Sequence, residues 1–152
     1  MGKTYIDIYN YVDKVSTKLN TLLLVNPDVI ITVTPDEPLN GLCGYDTSED
    51  ALYIDIRIPF IIPMPKAQYK YLRKLTLILI HEYCHYVDYI NMKVKDRKAS
   101  TLDYVNNSAA RAAIEKRTWK NTQRVAEALG EWDKELLKIA TSNFTYTTGL
   151  TC

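Results

Sequence analysis

The stretch LTLILIHEYCH, residues 75–85, determines how the rest of the chain must fold. It lies within residues 66–91, where neither proline nor glycine interrupts a segment rich in Leu, Lys and Tyr, so we predict one long α-helix there. Residues 75–80 are apolar nearly all round this helix, which means that it must be covered on most of its sides. The sequence therefore predicts a central helix around which the other elements pack.

The same helix carries two histidines four residues apart, His81 and His85, with Glu82 directly after the first. Side chains four apart share one helix face, so both rings can direct a nitrogen at one ion about 2 Å away. Glu82 then lies beside the metal, where it can take a proton from an activated water. Chance would place this pattern in roughly one shuffled sequence in two thousand, because the chain has only two histidines. The pattern predicts a zinc site with Glu82 as general base.

The segments before the central helix predict one helix and two strands. Apolar residues at helical spacing over residues 4–25 predict an amphipathic helix that ends at Pro27. Residues 29–33 form a β-branched run and residues 52–58 alternate apolar with polar side chains, so both are predicted strands. Between them, the proline- and glycine-containing residues 35–50 predict a loop. The second strand is expected to expose Tyr53, Asp55 and Arg57.

The segments after the central helix are mainly helical in pattern. Residues 93–107 predict a connecting loop, and residues 108–130 predict a helix that begins at a capping serine and ends at a glycine. A shorter helix is expected over about residues 131–141, followed by a last strand or a frayed tail over residues 141–152. We thus predict an α+β fold in a single domain, residues 1–152, with a small sheet packed on the central helix.

The order of these elements, together with their motifs, resembles a known enzyme family. The HEYCH helix at residues 81–85 and the later helix that carries Glu115 are similar to those of zincin-type metallopeptidases of the gluzincin branch. Among these, the chain is most similar to the small intracellular ImmA/IrrE-type and phage-encoded enzymes. Further matching segments are NGLCGYD at 40–46, YIDI at 53–56 and RKL at 73–75. The resemblance implies a zincin-like fold, one zinc ion per chain and hydrolysis of a peptide or protein substrate.

A catalytic zinc needs a third protein ligand, and both histidines of the chain are already used. A carboxylate must take this position, and we favour Glu115, which the family resemblance also indicates. A carboxylate on a weakly polar helix face needs a partner, and a salt bridge to Arg111 is the structural alternative to metal binding. The weakly polar residues that share the helix face of Glu115 are Ala112, Trp119, Thr122 and Ala126.

Two aspartates are alternative ligands. Asp103 follows a threonine-containing segment, as in another zincin branch, while Asp88 lies one turn past His85 and is expected to orient an imidazole or to face water. Cys84 points away from the metal-binding face and is expected in the core. One tyrosine or arginine must stabilise the oxyanion, but 12 tyrosines do not single one out. The remaining acids near charged neighbours, expected to be solvated, are Asp96, Glu127 and Glu131.

Composition and charge argue against several classes of function. The 19 Lys and Arg nearly balance the 18 Asp and Glu, so no net field attracts nucleic acid or an anionic membrane. The longest apolar stretch, residues 75–80, is too short to span a bilayer, and residues 1–6 contain no apolar signal segment. Three cysteines argue against a disulfide framework and for a reducing compartment. We therefore expect a cytoplasmic protein that binds neither nucleic acid nor membrane.

The predicted strand over residues 52–58 suggests where a substrate binds. An exposed strand edge beside the metal helix can pair with an extended peptide and place its scissile carbonyl at the metal. The main rival interpretation is a zinc-binding regulatory or interaction module of the same fold that has no turnover. Glu82 argues against this rival, because metal ligation alone does not need that residue.

Overall fold

The computed structural model describes residues 8–34, 37–59 and 65–152. Within these ranges the chain has five helices and a three-stranded mixed sheet, which confirms the predicted α+β class. In chain order the elements are α1 (Ile8–Leu23), β1 (Asp28–Val33), β2 (Asn40–Asp46), β3 (Ala51–Ile58), α2 (Pro65–Ile90), α3 (Val94–Asn106), α4 (Ser108–Ala128) and α5 (Lys134–Asn143).

The helix α2 is the central element that the sequence predicts. It packs against α1, α4, α5 and two strands of the sheet, so its aliphatic run is covered on several sides. Burying this much apolar surface is the main favourable contribution to the stability of the fold. The α2 side chains with no exposed surface are Leu75, Leu77, Leu79, Ile80 and Tyr83.

The sheet has the order β1-β3-β2, with β3 parallel to β1 and antiparallel to β2. Two predictions are therefore wrong. The segment 35–50 is not a loop throughout, because it contains β2, and β3 lies in the centre of the sheet instead of presenting an exposed edge. The glycines of β2 have low intrinsic strand propensity, so its sequence does not predict a strand. Pairing with β3 stabilises the extended conformation of this segment.

The two faces of β3 also differ from the prediction. Ile54 and Ile56 are fully buried, as the alternation indicates, but Asp55 on the opposite face is buried as well. Its carboxylate accepts a hydrogen bond of 2.7 Å from the Thr32 hydroxyl and a longer one of 3.4 Å from Arg57 Nε. A central strand has neighbours on both sides, and these neighbours cover a side chain that an edge strand would leave exposed.

The segment 93–107 forms the helix α3 and not the predicted loop. None of its residues is buried. A helix that buries no side chain needs no apolar face, so its sequence lacks the periodicity by which a helix is recognised. Arg97 anchors it by donating to the carbonyls of Tyr89 and Ile90 at the end of α2 and to the Asp50 carboxylate. The next helix, α4, is capped by Asn107, whose side chain accepts from the Ala110 amide at 3.0 Å, and not by Ser108.

The C-terminal part of the chain packs closely on the helices. Glu131, expected to be solvated, forms an ion pair of 2.7 Å with Arg73, which is itself buried. The tail after α5 contains turns and no strand, and the carbonyl of Thr151 accepts from the Trp132 indole at 2.7 Å. Among the described residues no helix is both long enough and apolar enough to cross a membrane.

Gly41 allows β2 to approach α2 closely. A Cβ atom on Gly41 would lie 2.6 Å from Ile78 Cγ2 and 2.8 Å from Glu82 Cγ, distances that real Cβ atoms do not adopt. The absence of a side chain here therefore determines how near this strand comes to the central helix.

We predict that Gly41→Ala lowers the free energy of unfolding by about 1–3 kcal/mol, because the added methyl group overpacks the contact between β2 and α2. Urea denaturation followed by circular dichroism measures this change. Asn40→Ala, at the exposed neighbouring position, is the control and should stay within about 0.5 kcal/mol of the wild-type protein. Equal stability of Gly41→Ala and the wild-type protein would show that the contact is not tight.

Candidate metal centre

His81 and His85 on α2 meet Glu115 on α4 in the interior of the protein. Each of the three residues exposes 6–7% of its surface. His81 Nε2 lies 3.1 Å from Glu115 Oε2, and His85 Nε2 lies 2.9 Å from Glu115 Oε1. The structure thus brings together the three residues that the sequence analysis selected as metal ligands.

The donor set and its spacing fit a metal ion. One atom from each side chain can be chosen so that all three lie within 4.8 Å of one another. Two donors bound to one zinc ion at about 2.0–2.1 Å in a tetrahedral arrangement lie about 3.3–3.4 Å apart, close to the separations seen here. A group of two imidazoles and one buried carboxylate can hold a metal ion at this place.

The charges at the site depend on one another. Burial alone would raise the pKa of Glu115, but its hydrogen bonds with His81 and His85 hold that pKa far below its usual value. Burial opposes protonation of His85, yet the Glu115 carboxylate and the nearby charges of Glu82 and Asp88 raise its pKa. The site therefore attracts positive charge, which a metal ion or protons on the imidazoles can supply.

Glu82 lies beside this group on the side of the sheet. It is 7% exposed, and the backbone amide of Cys43 in β2 lies close enough to favour the charged form of its carboxylate. Burial raises the pKa of Glu82, and the charge of Glu115 raises it further, while His81, His85 and the Cys43 amide oppose the shift. A carboxylate with a raised pKa is a stronger base than one on the surface.

Two threonines of α4 contact the far side of the imidazoles. His81 Nδ1 lies 3.1 Å from the Thr122 hydroxyl, and His85 Nδ1 lies 3.4 Å from the Thr118 hydroxyl. The earlier histidine of α2 faces the later threonine of α4, and the later histidine faces the earlier threonine. The two helices therefore run antiparallel. Sequence analysis placed Thr122 on the face of Glu115 but assigned neither threonine a role.

Aromatic rings enclose the rest of the site. Trp119 stacks on His81 with ring centroids 4.1 Å apart, and Phe144 from the tail packs on Trp119 at 4.8 Å. The Tyr104 hydroxyl donates to Glu115 Oε1 at 2.8 Å, and its ring lies 6.3 Å from that of His85. Sequence analysis did not identify Tyr104, because it belongs to α3, which was predicted to be a loop.

A cleft of about 550 Å³ opens onto the metal centre. Residues 40–45 of β2 line one part of it and residues 143–146 line another. Among the described residues, no lysine or arginine lines this cleft. The aromatic residues that line it are Tyr45, Tyr89, Tyr104, Trp119, Phe144 and Tyr146.

The alternative ligands lie elsewhere. Asp103 is exposed on α3, and Asp88 forms an ion pair of 2.6 Å with Arg117. Arg111 donates to the carbonyls of Tyr104 and Val105, and no contact between it and Glu115 is found in the part of the chain that the structure describes. Cys84 belongs to the hydrophobic core, where burial raises its pKa to about 12.

No protein-family model, curated protein or solved structure matches the chain. The assignment of the site therefore depends on its own geometry and chemistry.

We predict that Glu115→Gln greatly weakens metal binding, because a neutral amide replaces a carboxylate that contacts both imidazoles. The loss of affinity should exceed the roughly 10–100-fold cost of losing an outer hydrogen-bond partner. His81→Ala and His85→Ala should also lose the metal. Equilibrium dialysis with zinc followed by elemental analysis measures the bound metal.

Asp103→Asn is the matched control for Glu115→Gln, because Asp103 is exposed and should leave the metal content unchanged. If Asp103→Asn strips the metal while Glu115→Gln does not, the ligand assignment is wrong.

Proposed function

We propose that the protein is a zinc-dependent metallopeptidase, with His81, His85 and Glu115 as ligands and Glu82 as general base. The position of Glu82 carries this proposal. A structural metal site needs ligands only, whereas here a second buried carboxylate lies next to the ligands and faces the cleft. Two histidines and one glutamate are also a common ligand set of catalytic zinc.

The chain supplies the groups that peptide hydrolysis requires. When bound, a zinc ion supplies Lewis-acid chemistry, which lowers the pKa of a coordinated water and polarises a carbonyl. Glu82 accepts a proton from the attacking water as the water oxygen bonds to the carbonyl carbon. It returns this proton to the amide nitrogen as the carbon–nitrogen bond breaks. One water is consumed, and the products are a carboxylic acid and an amine, which become a carboxylate and an ammonium group when the remaining proton passes from the acid to the amine.

The free edge of β2 is the place where a peptide would bind in this proposal. In the part of the chain that the structure describes, β2 pairs with β3 on one side only. The Cys43 amide lies close enough to the Glu82 carboxylate to favour its charged form, and residues 40–45 of β2 line the cleft. An extended peptide that pairs with this edge therefore passes close to Glu82. The sequence analysis expected residues 52–58 to pair with the peptide, but these residues form the central strand β3. The proposal therefore assigns peptide pairing to the edge of β2.

Tyr104 is the best candidate to stabilise the negative charge that develops on the carbonyl oxygen. Its hydroxyl is within 2.8 Å of Glu115, and the cleft contains no lysine or arginine among the described residues. Burial and the Glu115 charge raise the pKa of Tyr104, so its hydroxyl keeps the proton that it must donate. In this structure the hydroxyl hydrogen points at Glu115, so the hydroxyl must turn towards the carbonyl oxygen to stabilise the charge that develops there.

We predict that Glu82→Gln retains zinc and fold but lowers turnover by about 10²–10⁴-fold, because an amide cannot accept the proton of the water. A fluorogenic peptide library measures turnover, and elemental analysis confirms that zinc is bound. Glu127→Gln, an exposed position on α4, is the matched control and should be fully active. Undiminished turnover of Glu82→Gln would exclude Glu82 as the base.

We predict that Tyr104→Phe lowers kcat by about 10²–10³-fold with little change in KM, because only the hydroxyl that stabilises the transition state is lost. The assay requires excess zinc, since the same hydroxyl also contacts Glu115. Tyr146→Phe, at a second tyrosine of the cleft, should change kcat little. If Tyr146→Phe is the damaging change and Tyr104→Phe is not, the donor is Tyr146.

A further inference from the structure

Thr118 and Thr122 stand out because both are threonines in the middle of a helix and both are almost completely buried. Thr122 exposes no surface and Thr118 exposes 2%. Each hydroxyl donates to the carbonyl four residues earlier, from Thr118 to Ile114 at 2.8 Å and from Thr122 to Thr118 at 2.7 Å. A hydroxyl has a single hydrogen, and these carbonyls use it in both cases.

Each threonine oxygen can therefore only accept a hydrogen bond from the histidine that it faces. A hydroxyl oxygen has two lone pairs, and for Thr122 one of them is available to His81 Nδ1, which lies 3.1 Å away. For Thr118 the histidine partner is His85 Nδ1. Among the described residues, no other group hydrogen-bonds the Nδ1 atom of either ring.

We propose that Thr118 and Thr122 are positioning residues that hold the hydrogen of each imidazole on Nδ1 and leave the Nε2 lone pairs directed at the metal. This inference rests on the proposed metal site but not on peptide hydrolysis. It assigns to two neutral hydroxyls a role that carboxylates or backbone carbonyls usually fill beside metal-binding histidines. In the part of the chain that the structure describes, Glu82 and Glu115 are then the acids that lie at the metal centre and line the cleft.

The geometry also ranks the two threonines. The Thr122 contact is 3.1 Å long and the Thr118 contact is 3.4 Å long, so Thr122 is the stronger partner. In addition, Trp119 stacks on His81, so this ring is held by both its face and its Nδ1 atom. His85 depends on Thr118 and on the edge contact with Tyr104.

The test compares Thr→Val with Thr→Ser at both positions. Valine has nearly the volume of threonine but no hydroxyl, so Thr122→Val and Thr118→Val leave an imidazole hydrogen without a partner. We expect Thr122→Val to weaken zinc binding by about 10-fold or more and Thr118→Val by less, within the roughly 10–100-fold range of outer-partner losses. The serine variants should bind zinc within about threefold of the wild-type protein. Competition with a chromogenic chelator measures the affinities.

Nuclear magnetic resonance gives a readout that does not depend on affinity. The chain has only two histidines, so histidine labelled with nitrogen-15 gives two ring systems in the zinc-loaded protein. Both should carry a slowly exchanging Nδ1 hydrogen close to a threonine side chain. In each valine variant the corresponding hydrogen should shift and exchange faster with water.

Thr76→Val is the matched control. Thr76 is also buried in a helix and also donates to the carbonyl four residues earlier, but its other neighbour is the Tyr11 hydroxyl and not a histidine. Its zinc affinity should therefore equal that of the wild-type protein. Equal effects of Thr76→Val and Thr122→Val would assign the loss to general destabilisation and overturn the proposal.

Two further results would overturn it. The first is wild-type zinc affinity in both valine variants with unchanged imidazole resonances. The second is a spectrum of the zinc-loaded wild-type protein in which the ring hydrogens lie on Nε2, a measurement that does not depend on the folding of any variant. A protein that binds zinc with both Nδ1 hydrogens held by the threonines but cleaves no peptide would instead contradict only the peptidase proposal.

Discussion

The contact between α2 and α4 is the constraint on which the rest of the structure depends. It buries two imidazoles, one carboxylate and two hydroxyls, and such groups are costly to bury unless each has a partner. The antiparallel register of the two helices provides those partners, because His81 faces Thr122 and His85 faces Thr118 while Glu115 bridges both rings. Sliding one helix by a turn would separate all of these pairs at once. The polar groups thus fix the register, and the surrounding aliphatic side chains supply most of the stability.

The sequence predicts the central helix and the residues that the structure gathers at the metal centre. Helical periodicity identifies α2, the HEYCH motif selects His81, Glu82 and His85, and the weakly polar face of α4 selects Glu115. These signals are local, because they depend on which residues share a face within one helix. They also follow from a physical rule that holds in any fold, namely that a buried polar group needs a partner. Ligation by these residues stays a prediction until metal binding is measured.

The elements that the sequence did not reveal are those held by distant contacts. The strand β2 contains two glycines, and its place beside α2 depends on pairing with β3 and on the space that Gly41 leaves. The helix α3 has no apolar face, and Arg97 ties it to the end of α2 and to Asp50. The role of Tyr104 follows from the placement of α3, and the roles of the two threonines follow from the packing of α4 on α2. No spacing within a single segment encodes a contact between two segments that meet only in the folded chain.

The cleft walls come from parts of the chain that are synthesised at very different times. The β2 wall lies before α2 in the sequence, whereas Phe144 and Tyr146 follow the last helix. A nascent chain that has paired α2 with α4 already holds the side chains of the metal centre, yet it still lacks one side of the cleft. The side chains of the candidate metal centre are therefore all present in the chain before the tail that lines one side of the cleft has been made. Partial unfolding of the tail would remove one wall of the cleft, whereas the contacts between His81, His85 and Glu115 involve only α2 and α4.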